Sequence, residues 1–550
     1  MFVGSLKKIN LSTSLFERLI TRGQFYVDKT RFIEHFLDEA SDVQLITRQR
    51  RLGKSLNMDT LRCFLTDRVD NRHLFKGLYI ENSHVWEYAH SAPVFLFDFK
   101  KLTADGYISQ FAVMVENHIC SLTNPSNLPE RFKRRYDALI SKDENPSQSL
   151  LLLMEIAYEL TGKHSYILID EYDKLLIDNR RSEKYAEIRD FIGTTFSATF
   201  KDNPYLEKAL LTGVMRVSKE SIFSSLNNIS VFDVFDDDTY IYDYGFTEEE
   251  VQFISKHTEI DVDKARKWYN GIRVNGVPIY NTFSISSYLR SKLFKCFWGM
   301  SGTMEIITDM LDDDRKDVLA RLLGGDEARV FLEARISLGQ LNENTVDRAF
   351  YSLLVQAGYL TLKEPLHSAD SEAAVFIPNT ELMHVWKNYI LDTLYPKQRK
   401  ILTLFDNADN MELFKSDLEY FFSDRLSYFD LSVRPGDTKR HTEERLYHIF
   451  VLGMLSAYKD VNCIFPLSNR ESGDGRYDIL VEKPLDNFIF EIKSSDTVEG
   501  LEQMAKAALS QIDEKRYGVD LDRTKRLVKI GIAFFGKVCS VAVSEANSEQ

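Results

Sequence analysis

Short apolar runs separated by amphipathic helical patterns are the sequence feature that most restricts the fold of residues 25–245. The runs are VQLITR (43–48), PVFLFDF (93–99), SYILID (165–170) and KALLTGV (208–214). Runs of this kind are typical of strands buried on both faces, and their alternation with helices is typical of a parallel sheet. One intervening pattern, QSLLLLMEIAYELTG, ends on the glycine that often stops a helix. The sequence therefore predicts an α/β domain whose parallel sheet carries helices on both faces.

The remaining chain divides into two further regions of different character. Residues 246–430 are mostly helical in pattern, interrupted by YNGIRVNGVPIYN, which predicts a hairpin or loop. After the polar linker SVRPGDTKRHTEE, a second α/β pattern follows. It consists of a helix (443–458), the strands RYDILVE and NFIFEIK, a helix (498–516) and a final strand VKIGIAFFG. A chain of 550 residues is too long for one core. We therefore predict domains at 1–245, 246–430 (winged-helix-like in one option) and 431–550.

Composition excludes several classes of protein. The apolar fraction of 44% excludes a disordered chain, and the net charge of −14 argues against a broadly basic nucleic-acid coat protein. The five cysteines are odd in number and contain no C-x-x-C pair, which argues against a disulfide scaffold or a zinc site. Neither a signal peptide nor an 18-residue apolar run is present. We expect a soluble cytoplasmic protein without a membrane partner.

Gly53-Lys54-Ser55 joins the first apolar strand to a helical pattern, as in a phosphate-binding loop. In such a loop, glycine lets the backbone approach the phosphates, lysine neutralises their charge and the hydroxyl ligates Mg²⁺. However, the first glycine of G-x-x-x-x-G-K-[ST] is missing, and Arg48 stands in its place. Because G-K-[ST] alone often arises by chance, these residues need support from elsewhere in the chain.

That support comes from the ends of two later strands. Asp170 and Glu171 follow SYILI as in a Walker B motif, where Asp170 would hold Mg²⁺ through water and Glu171 would polarise the attacking water. Thr212 ends the next strand, where it could sense the γ-phosphate, and Arg216 lies just beyond, able to reach phosphate in cis or from a neighbouring subunit. An Asp-Glu pair after a strand is also commonly a solvated loop or helix cap. The order of all these parts is much harder to obtain by chance, so we predict a site for ATP and Mg²⁺.

The segment FYVDKTRFIEHFL followed by TRQRRLGKSLNMDTL resembles the opening of a bacterial family of AAA-ATPase-like proteins. Further similarities are ILIDEYDK, LTGVMRVSKESIFSSLNN, YGFTEEEV, WYNG, YNTFSISSYL and IPNTE, so the resemblance runs from about residue 20 to 390. In that family the loop reads R-x-R-R-x-G-K-[ST], with phenylalanine common where this chain has Leu52. The resemblance implies that Arg48 is the family's ordinary residue. Arg48 and Arg51 are then candidates to bind the triphosphate.

A second group of polar residues lies in GRYDILVEKPLDNFIFEIKSS. Asp478 ends one strand pattern, while Glu491 and Lys493 lie two apart on the next and so face the same side. A hairpin could bring Asp478 beside them. Two carboxylates suit Mg²⁺, and a nearby lysine could position or deprotonate water or stabilise a pentavalent phosphate. As a bare pattern the signal is weak, because strand edges also carry Glu and Lys for solubility.

EERLYHIFVLGML, together with YDILVE, FIFEIK and ALSQIDEKRY, is similar to the PD-(D/E)XK nuclease superfamily. The resemblance implies a catalytic core of Asp478, Glu491 and Lys493, with Glu444 and Gln511 as auxiliary residues. It also implies Mg²⁺ or Mn²⁺ at the two carboxylates and nucleic acid as the partner, with DNA favoured. The stretches RTKRLVK (523–529) and RFKRR (131–135) could contact phosphates, although a solvated basic face is the simpler interpretation.

Two hypotheses of different class follow. In the first, ATP binding or hydrolysis gates a Mg²⁺-dependent nuclease, in a setting such as defence against phage or mobile elements that rests on analogy with the domain combination. In the second, the protein is a nucleotide-dependent switch or scaffold whose C-terminal fold binds nucleic acid or protein without cutting. ATPases of this broad class often assemble, so a homo-oligomer is one expected state.

Overall fold

The computed structural model gives two compact units, each built from two stretches of sequence. Unit 1 is Met1–Met310 with Arg329–Glu381, and unit 2 is Leu311–Ala328 with Leu382–Gln550. The described residues are 2–141, 146–216, 222–223, 226, 228–298, 307, 310–311, 313–323, 325–334, 336, 347–366, 370–386, 411–412, 414–416, 418–419, 444, 447–452, 455, 464–482, 486–522, 524–536 and 538–546. Among them, no helix is both long and apolar enough to cross a bilayer.

Helices and strands alternate through the first part of unit 1. The helices are α1 (Phe16–Thr21), α2 (Arg31–Asp38), α3 (Lys54–Leu65), α4 (Tyr107–Leu122), α5 (Glu130–Ser141), α6 (Ser149–Thr161), α7 (Lys174–Asp178) and α8 (Tyr185–Phe200). The strands are β1 (Phe2–Val3), β2 (Tyr26–Val27), β3 (Val43–Thr47), β4 (Val94–Asp98), β5 (Ser165–Asp170), β6 (Leu206–Gly213) and β7 (Ile229–Phe232). Short 3₁₀ turns lie at Arg72–Phe75, Tyr79–Asn82, His84–Tyr88, Phe99–Lys101, Pro125–Asn127 and Pro146–Gln148.

The central sheet of unit 1 is parallel, with the strand order β4-β5-β6-β3-β7. All four strands expected from the apolar runs are present, and β3 and β5 are buried along their whole length. The helices α3, α6 and α8 pack against these strands. The helix α6 ends at Gly162, whose φ of 67° is the left-handed conformation that glycine adopts readily. The parallel α/β sheet predicted for this region is confirmed.

The later part of unit 1 is richer in helix. It contains α9 (Glu248–Ser255), α10 (Val262–Tyr269), α11 (Thr282–Ser291) and α13 (Asp347–Gln356), with the hairpin β8 (Ile272–Val274) and β9 (Val277–Ile279). A second sheet has the order β10-β12-β11, from β10 (Ala328–Glu333), β11 (Thr361–Leu362) and β12 (Asp370–Phe376). The hairpin turns at Asn275-Gly276, both with positive φ, as its sequence indicates. Residues 1–245 share one compact unit with 246–310. The boundaries at 245 and 430 and the winged-helix option stay predictions.

Unit 2 contains α12 (Asp313–Leu323) and a five-stranded mixed sheet with α14 (Leu501–Glu514) packed on it. The strands are β13 (Ile464–Ser472), β14 (Gly475–Glu482), β15 (Asp486–Ser494), β16 (Arg526–Phe535) and β17 (Val538–Ala546), in sequence order across the sheet. β15 and β16 run parallel, and the other neighbours run antiparallel. The expectation that VKIGIAFFG is the final strand is wrong, because β17 follows it after a turn. Of the helix predicted over 443–458, residues 444, 447–452 and 455 are helical and the others lie outside the described part.

Candidate functional sites

The first site lies where β3 runs into α3. Gly53 is the N-cap residue immediately before α3, and its φ of 92° is a left-handed conformation that would be strained in a residue with a side chain. The Lys54 ammonium donates to the carbonyl oxygens of Arg48, at 2.8 Å, and of Gln49, at 2.9 Å. Burial lowers the pKa of Lys54 to about 8, although Asp170 and other nearby carboxylates oppose this shift. The loop therefore surrounds a buried ammonium with its own carbonyl groups.

Three predicted site residues meet at Asp170. Ser55 Oγ donates to Asp170 Oδ2 at 2.5 Å, and Thr212 Oγ1 donates to Asp170 Oδ1 at 2.5 Å. The sheet order explains this meeting, since β6 lies between β3 and β5 and the carboxyl ends of parallel strands lie at one edge. A hydroxyl and a carboxylate are the hard oxygen ligands that Mg²⁺ prefers. Ser55 and Asp170 therefore fit the predicted metal, together with Lys54 for a phosphate.

Asp173 is a site residue that the sequence interpretation missed. Its Oδ2 accepts the N–H groups of Val214 and Met215, both at 2.8 Å, and burial raises its pKa to about 6. These two hydrogen bonds connect the turn after β5 to the residues that follow β6. Glu171, in the same turn, has a φ of 53°, an uncommon backbone conformation for a residue other than glycine. The only sequence signal was the second aspartate of I-D-E-Y-D-K.

A cavity of about 480 Å³ opens beside the loop. Its charged lining includes Arg50, Arg51, Lys54 and Glu171, and also Lys100 and Lys174, which the sequence interpretation did not name. Its apolar lining comes from the segment before β3 and from the region after β7, with Leu11, Leu19, Phe25, Val27, Phe246 and Phe283. A cavity of this size with mixed polar and apolar walls suits a charged small molecule that also has an apolar part, as a nucleotide does.

The structure corrects the expectation for the Arg48 side chain. Its guanidinium is fully buried, forms an ion pair with Asp237, and donates to the carbonyl oxygens of Thr47 at 2.8 Å and Phe232 at 3.2 Å. Burial lowers the pKa of Arg48 to about 10. The side chain is not part of the cavity wall, and its contacts with Thr47, Phe232 and Asp237 support the loop from the side away from the cavity. Of the neighbouring acidic residues, Asp233 and Asp237 are buried, whereas Asp236 and Asp238 are exposed.

Arg216 is also absent from the residues that line the cavity. Its Nη1 lies 3.6 Å from Asp233 Oδ2, and its backbone N–H donates to Gln356 at 3.2 Å. Asp233 is buried, so the ion pair is shielded from solvent. A role for Arg216 on phosphate, in cis or across subunits, stays a prediction. Arg51 does line the cavity.

The second site lies on the antiparallel pair β14 and β15 in unit 2. Ile479 is paired with Phe490, so Asp478 and Glu491 are neighbours across the hairpin. Asp478 was expected at the end of a strand, but it lies inside β14. Asp478 Oδ2 accepts the N–H of Ile492 at 2.7 Å. The hairpin predicted to join the two carboxylates is therefore present.

Gln511 on α14 links the other members of this site. Its Oε1 accepts a hydrogen bond from Lys493 Nζ at 2.6 Å, and its Nε2 donates to Glu491 Oε1. Glu444 Oε1 accepts the N–H of Ser494 at 3.3 Å. The structure thus brings together all the residues that the superfamily resemblance implies, from β14, β15, α14 and the helical segment around residue 444.

Burial shapes the electrostatics of this cluster. It raises the pKa of Glu491, and the charge of Asp478 adds to that shift; burial also raises the pKa of Asp478. Glu491 Oε2 is buried and has no hydrogen-bond partner among the described residues. An unpaired buried carboxylate oxygen beside a second carboxyl is costly unless a cation joins them. The donor set therefore fits a divalent metal ion.

His448 is a further neighbour of this cluster. Its Nε2 lies 3.0 Å from the carbonyl oxygen of Asp478 and 3.2 Å from Ser468 Oγ. The two basic stretches, by contrast, are largely ion-paired. Arg526 contacts Asp486 at 2.7 Å and Arg131 contacts Glu159 at 2.6 Å. This pairing favours the solvated-face interpretation for both stretches.

Comparison with known proteins matches the two regions of the chain that carry these candidate sites. Residues 10–223 match the family model described as a predicted AAA-ATPase, and residues 442–543 match the PD-(D/E)XK nuclease superfamily. The predicted recognition, an AAA-ATPase-like domain followed by a PD-(D/E)XK domain, is confirmed.

Individual relatives are more distant. An uncharacterized protein from the vnfD 5′ region of Azotobacter chroococcum mcd 1 is 29% identical over 363 residues, which are 65% of this chain and 64% of that protein. The chain thus spans somewhat less than two thirds of that relative. A Walker-type ATPase of Pyrococcus abyssi aligns with a TM-score of 0.37 and 15% identity over 70% of this chain and 100% of that one.

Proposed function

We propose that this protein binds and hydrolyses ATP in unit 1 and cleaves phosphodiester bonds of nucleic acid in unit 2, with the nucleotide state gating cleavage. The observation that carries the proposal is the cluster of Asp478, Glu491, Lys493 and Gln511, in which Glu491 is buried and one of its carboxylate oxygens lacks a partner among the described residues. Burial of a carboxylate oxygen without a hydrogen-bond partner costs free energy on folding, and a structural role alone does not account for that cost.

In unit 2, Asp478 and Glu491 would hold Mg²⁺ or Mn²⁺. A divalent ion there would lower the pKa of a bound water and neutralise charge on the phosphodiester. Lys493 shares a strand face with Glu491, so its ammonium can orient the attacking water or stabilise the developing charge. Gln511 accepts from that ammonium and donates to the carboxylate, which keeps both groups in place.

In unit 1, Lys54 would exchange its loop carbonyl partners for the phosphates of ATP, which carry full charge and accept more strongly. Ser55 and Asp170 would hold Mg²⁺, with Thr212 bonded to the same carboxylate and able to respond to the γ-phosphate. Glu171 would polarise the attacking water. Arg51 would add positive charge to the cavity wall.

We propose DNA as the nucleic acid and a reducing, cytoplasmic setting, consistent with free thiols at the described cysteines. Assembly into a homo-oligomer is part of the proposal, with Arg216 as the residue able to act across an interface. Defence against phage or mobile elements is the biological setting that the domain combination suggests. Plaque counts on cells that express wild type, Lys54→Ala or Asp478→Ala test it. Absence of protection by wild type would remove the role, and equal protection by all three proteins would mean that neither site causes it.

The activity test incubates the full chain with plasmid, linear and single-stranded DNA and with RNA, in Mg²⁺ or Mn²⁺, with and without ATP. We expect Asp478→Ala to abolish cleavage, whereas Asp474→Ala, at an exposed carboxylate in the turn between β13 and β14, leaves it unchanged. Lys54→Ala and Glu171→Gln should change the dependence of cleavage on ATP.

Each part of the proposal fails separately. Cleavage that survives Asp478→Ala removes the nuclease assignment. Absence of ATP binding by wild type removes the ATPase assignment. Cleavage that is indifferent to ATP, Lys54→Ala and Glu171→Gln alike removes gating and leaves two independent activities. A wild type that binds nucleic acid but never cuts it supports the switch or scaffold instead.

A further inference from the structure

Arg51, in the phosphate loop, is fixed from outside the loop at several points. Its Nη1 donates to the carbonyl oxygen of Phe297 at 2.5 Å, and its guanidinium lies 4.2 Å from the centre of the Phe283 ring. Its own carbonyl accepts from the Thr282 hydroxyl at 2.7 Å. The backbone of Arg51 has a φ of 66°, which is unfavourable for arginine without such support. The start of α11 and the segment around residue 297 therefore determine where this arginine lies.

Glu381 connects both of those segments. Its side chain is fully buried, and its Oε1 accepts the N–H groups of Phe297 at 2.6 Å and Trp298 at 2.8 Å. Its Oε2 accepts the hydroxyl of Ser284, in the first turn of α11, at 2.7 Å. Burial raises the pKa of this carboxyl, and its hydrogen bonds and the charge of Arg51 oppose that shift. This glutamate ends the IPNTE segment and Ser284 lies in YNTFSISSYL, two stretches to which neither proposed activity gives a role.

A single peptide group joins Glu381 to Arg51. The N–H of Trp298 and the carbonyl of Phe297 belong to the same peptide unit, so Glu381 binds one end of it and Arg51 the other. Hydrogen bonds at the two ends of one peptide polarise it and strengthen each other. The carboxylate also fixes the plane of that peptide and so the direction of its carbonyl. Both effects act on the guanidinium that lines the cavity.

We propose that Glu381 is a positioning residue of the nucleotide site: through the Phe297–Trp298 peptide it holds Arg51 where the guanidinium can contact the outer phosphates of a nucleoside triphosphate. This inference rests on the proposed binding of ATP by unit 1. A guanidinium has five N–H donors, and the contact with Phe297 uses one of them. The others remain to form charge-assisted bonds with phosphate, provided that the group is held in place.

The test measures the dissociation constants of ATP and AMP for the full chain by calorimetry. Arg51→Ala and Glu381→Ala should each weaken ATP about tenfold, the size of one charge-assisted hydrogen bond, and leave AMP unchanged because AMP lacks the outer phosphates. The double variant should be no weaker than Arg51→Ala alone, since Glu381 acts only through Arg51. Glu381→Gln should restore ATP affinity, because an amide can accept both N–H groups and donate to Ser284.

Glu333→Ala, at another buried glutamate of unit 1, is the matched control and should change neither ligand. Equal loss of ATP and AMP binding, or a double variant much weaker than Arg51→Ala, would overturn the inference and leave Glu381 a purely structural residue. If Glu381→Ala does not fold, Glu381→Asp replaces it, since a carboxyl one methylene shorter cannot reach all three donors. Failure of wild type to bind ATP would instead refute the proposed function.

Discussion

The buried pair of Arg48 and Asp237 leads to a prediction about stability that also tests what Arg48 does. Both side chains are wholly excluded from solvent. Removing one member of such a pair leaves an uncompensated buried charge, which costs about 3–5 kcal/mol. In Asp237→Asn the guanidinium keeps its bonds to the carbonyls of Thr47 and Phe232, so we expect the lower end, about 3 kcal/mol.

Asp237→Ala should cost more, because Asp237 Oδ1 also accepts the N–H groups of Thr239 at 2.8 Å and Tyr240 at 2.7 Å. Asparagine keeps those two bonds and alanine loses them, at about 1 kcal/mol each. The expected loss is therefore about 5 kcal/mol, a large share of the stability of an ordinary domain, which is about 5–15 kcal/mol.

Guanidinium unfolding followed by tryptophan fluorescence measures these losses. Three of the four tryptophans, Trp86, Trp268 and Trp298, lie in unit 1, so the signal reports mainly on that unit. Arg131→Ala is the control, since it breaks an exposed pair with Glu159 and should cost less than about 1 kcal/mol. If Asp237→Asn costs no more than this control, the assignment of Arg48 as a buried structural cation is wrong.

A double replacement, Arg48→Met with Asp237→Leu, separates support of the loop from contact with the nucleotide. Replacing a buried ion pair by apolar residues is often neutral or stabilising. We therefore expect this variant to fold and to bind ATP nearly as wild type does. A folded double variant that no longer binds ATP would mean that Arg48 contacts the nucleotide after all.

Three further predictions concern other parts of the molecule. Glu491→Gln should raise the melting temperature of the metal-free protein, because the raised pKa of Glu491 shows that its ionised form is costly to bury. The variant should also no longer be stabilised by Mn²⁺. A variant that Mn²⁺ stabilises as much as wild type in scanning fluorimetry would contradict this prediction. Burial raises the pKa of Glu381 above its ordinary 4.5, so the stability that this carboxyl contributes is complete below pH 4.5 and is lost as the pH rises. The melting temperature of wild type minus that of Glu381→Gln should therefore fall from pH 4.5 upward. A difference that rises with pH would refute this prediction. Gly358 has a φ of +85°, and in Gly358→Ala the new Cβ would lie 2.4 Å from Gln49 Cγ. We expect the free energy of unfolding to fall by about 1–3 kcal/mol, measured by chemical denaturation, and ATP binding to weaken, measured by calorimetry. Wild-type values in both measurements would contradict the prediction.

The sequence was most informative where a local pattern reflects burial. SYILID coincides with β5 from end to end, and the two-residue spacing of Glu491 and Lys493 correctly implied a shared strand face. YNGIRVNGVPIYN, expected to form a hairpin or loop, contains the β8–β9 hairpin with its turn at Asn275-Gly276. In each case the signal lies within a few residues, so a single sequence is enough to read it.

The edge strands β7 and β13 and the long-range contacts were missed for physical reasons. β13 contains Pro466 and several polar residues, and β7 is only partly buried along its length, so neither has a continuous apolar run. The partner of Arg48 lies 189 residues further along the chain, and no local pattern connects the two. Glu381 reaches Arg51 through backbone atoms that every residue possesses, which leaves no trace in the residue types.

The discontinuity of the two units has a consequence for how such a gene can change by recombination. The chain passes from unit 1 to unit 2 after Met310, returns at Arg329 and leaves again after Glu381. A single crossover at residue 382 would import a foreign 382–550 while keeping the native Leu311–Ala328, and the hybrid unit would combine segments that were never selected together. Exchange of residues 382–550 alone is therefore disfavoured, and the segments of the two units should be inherited as one block.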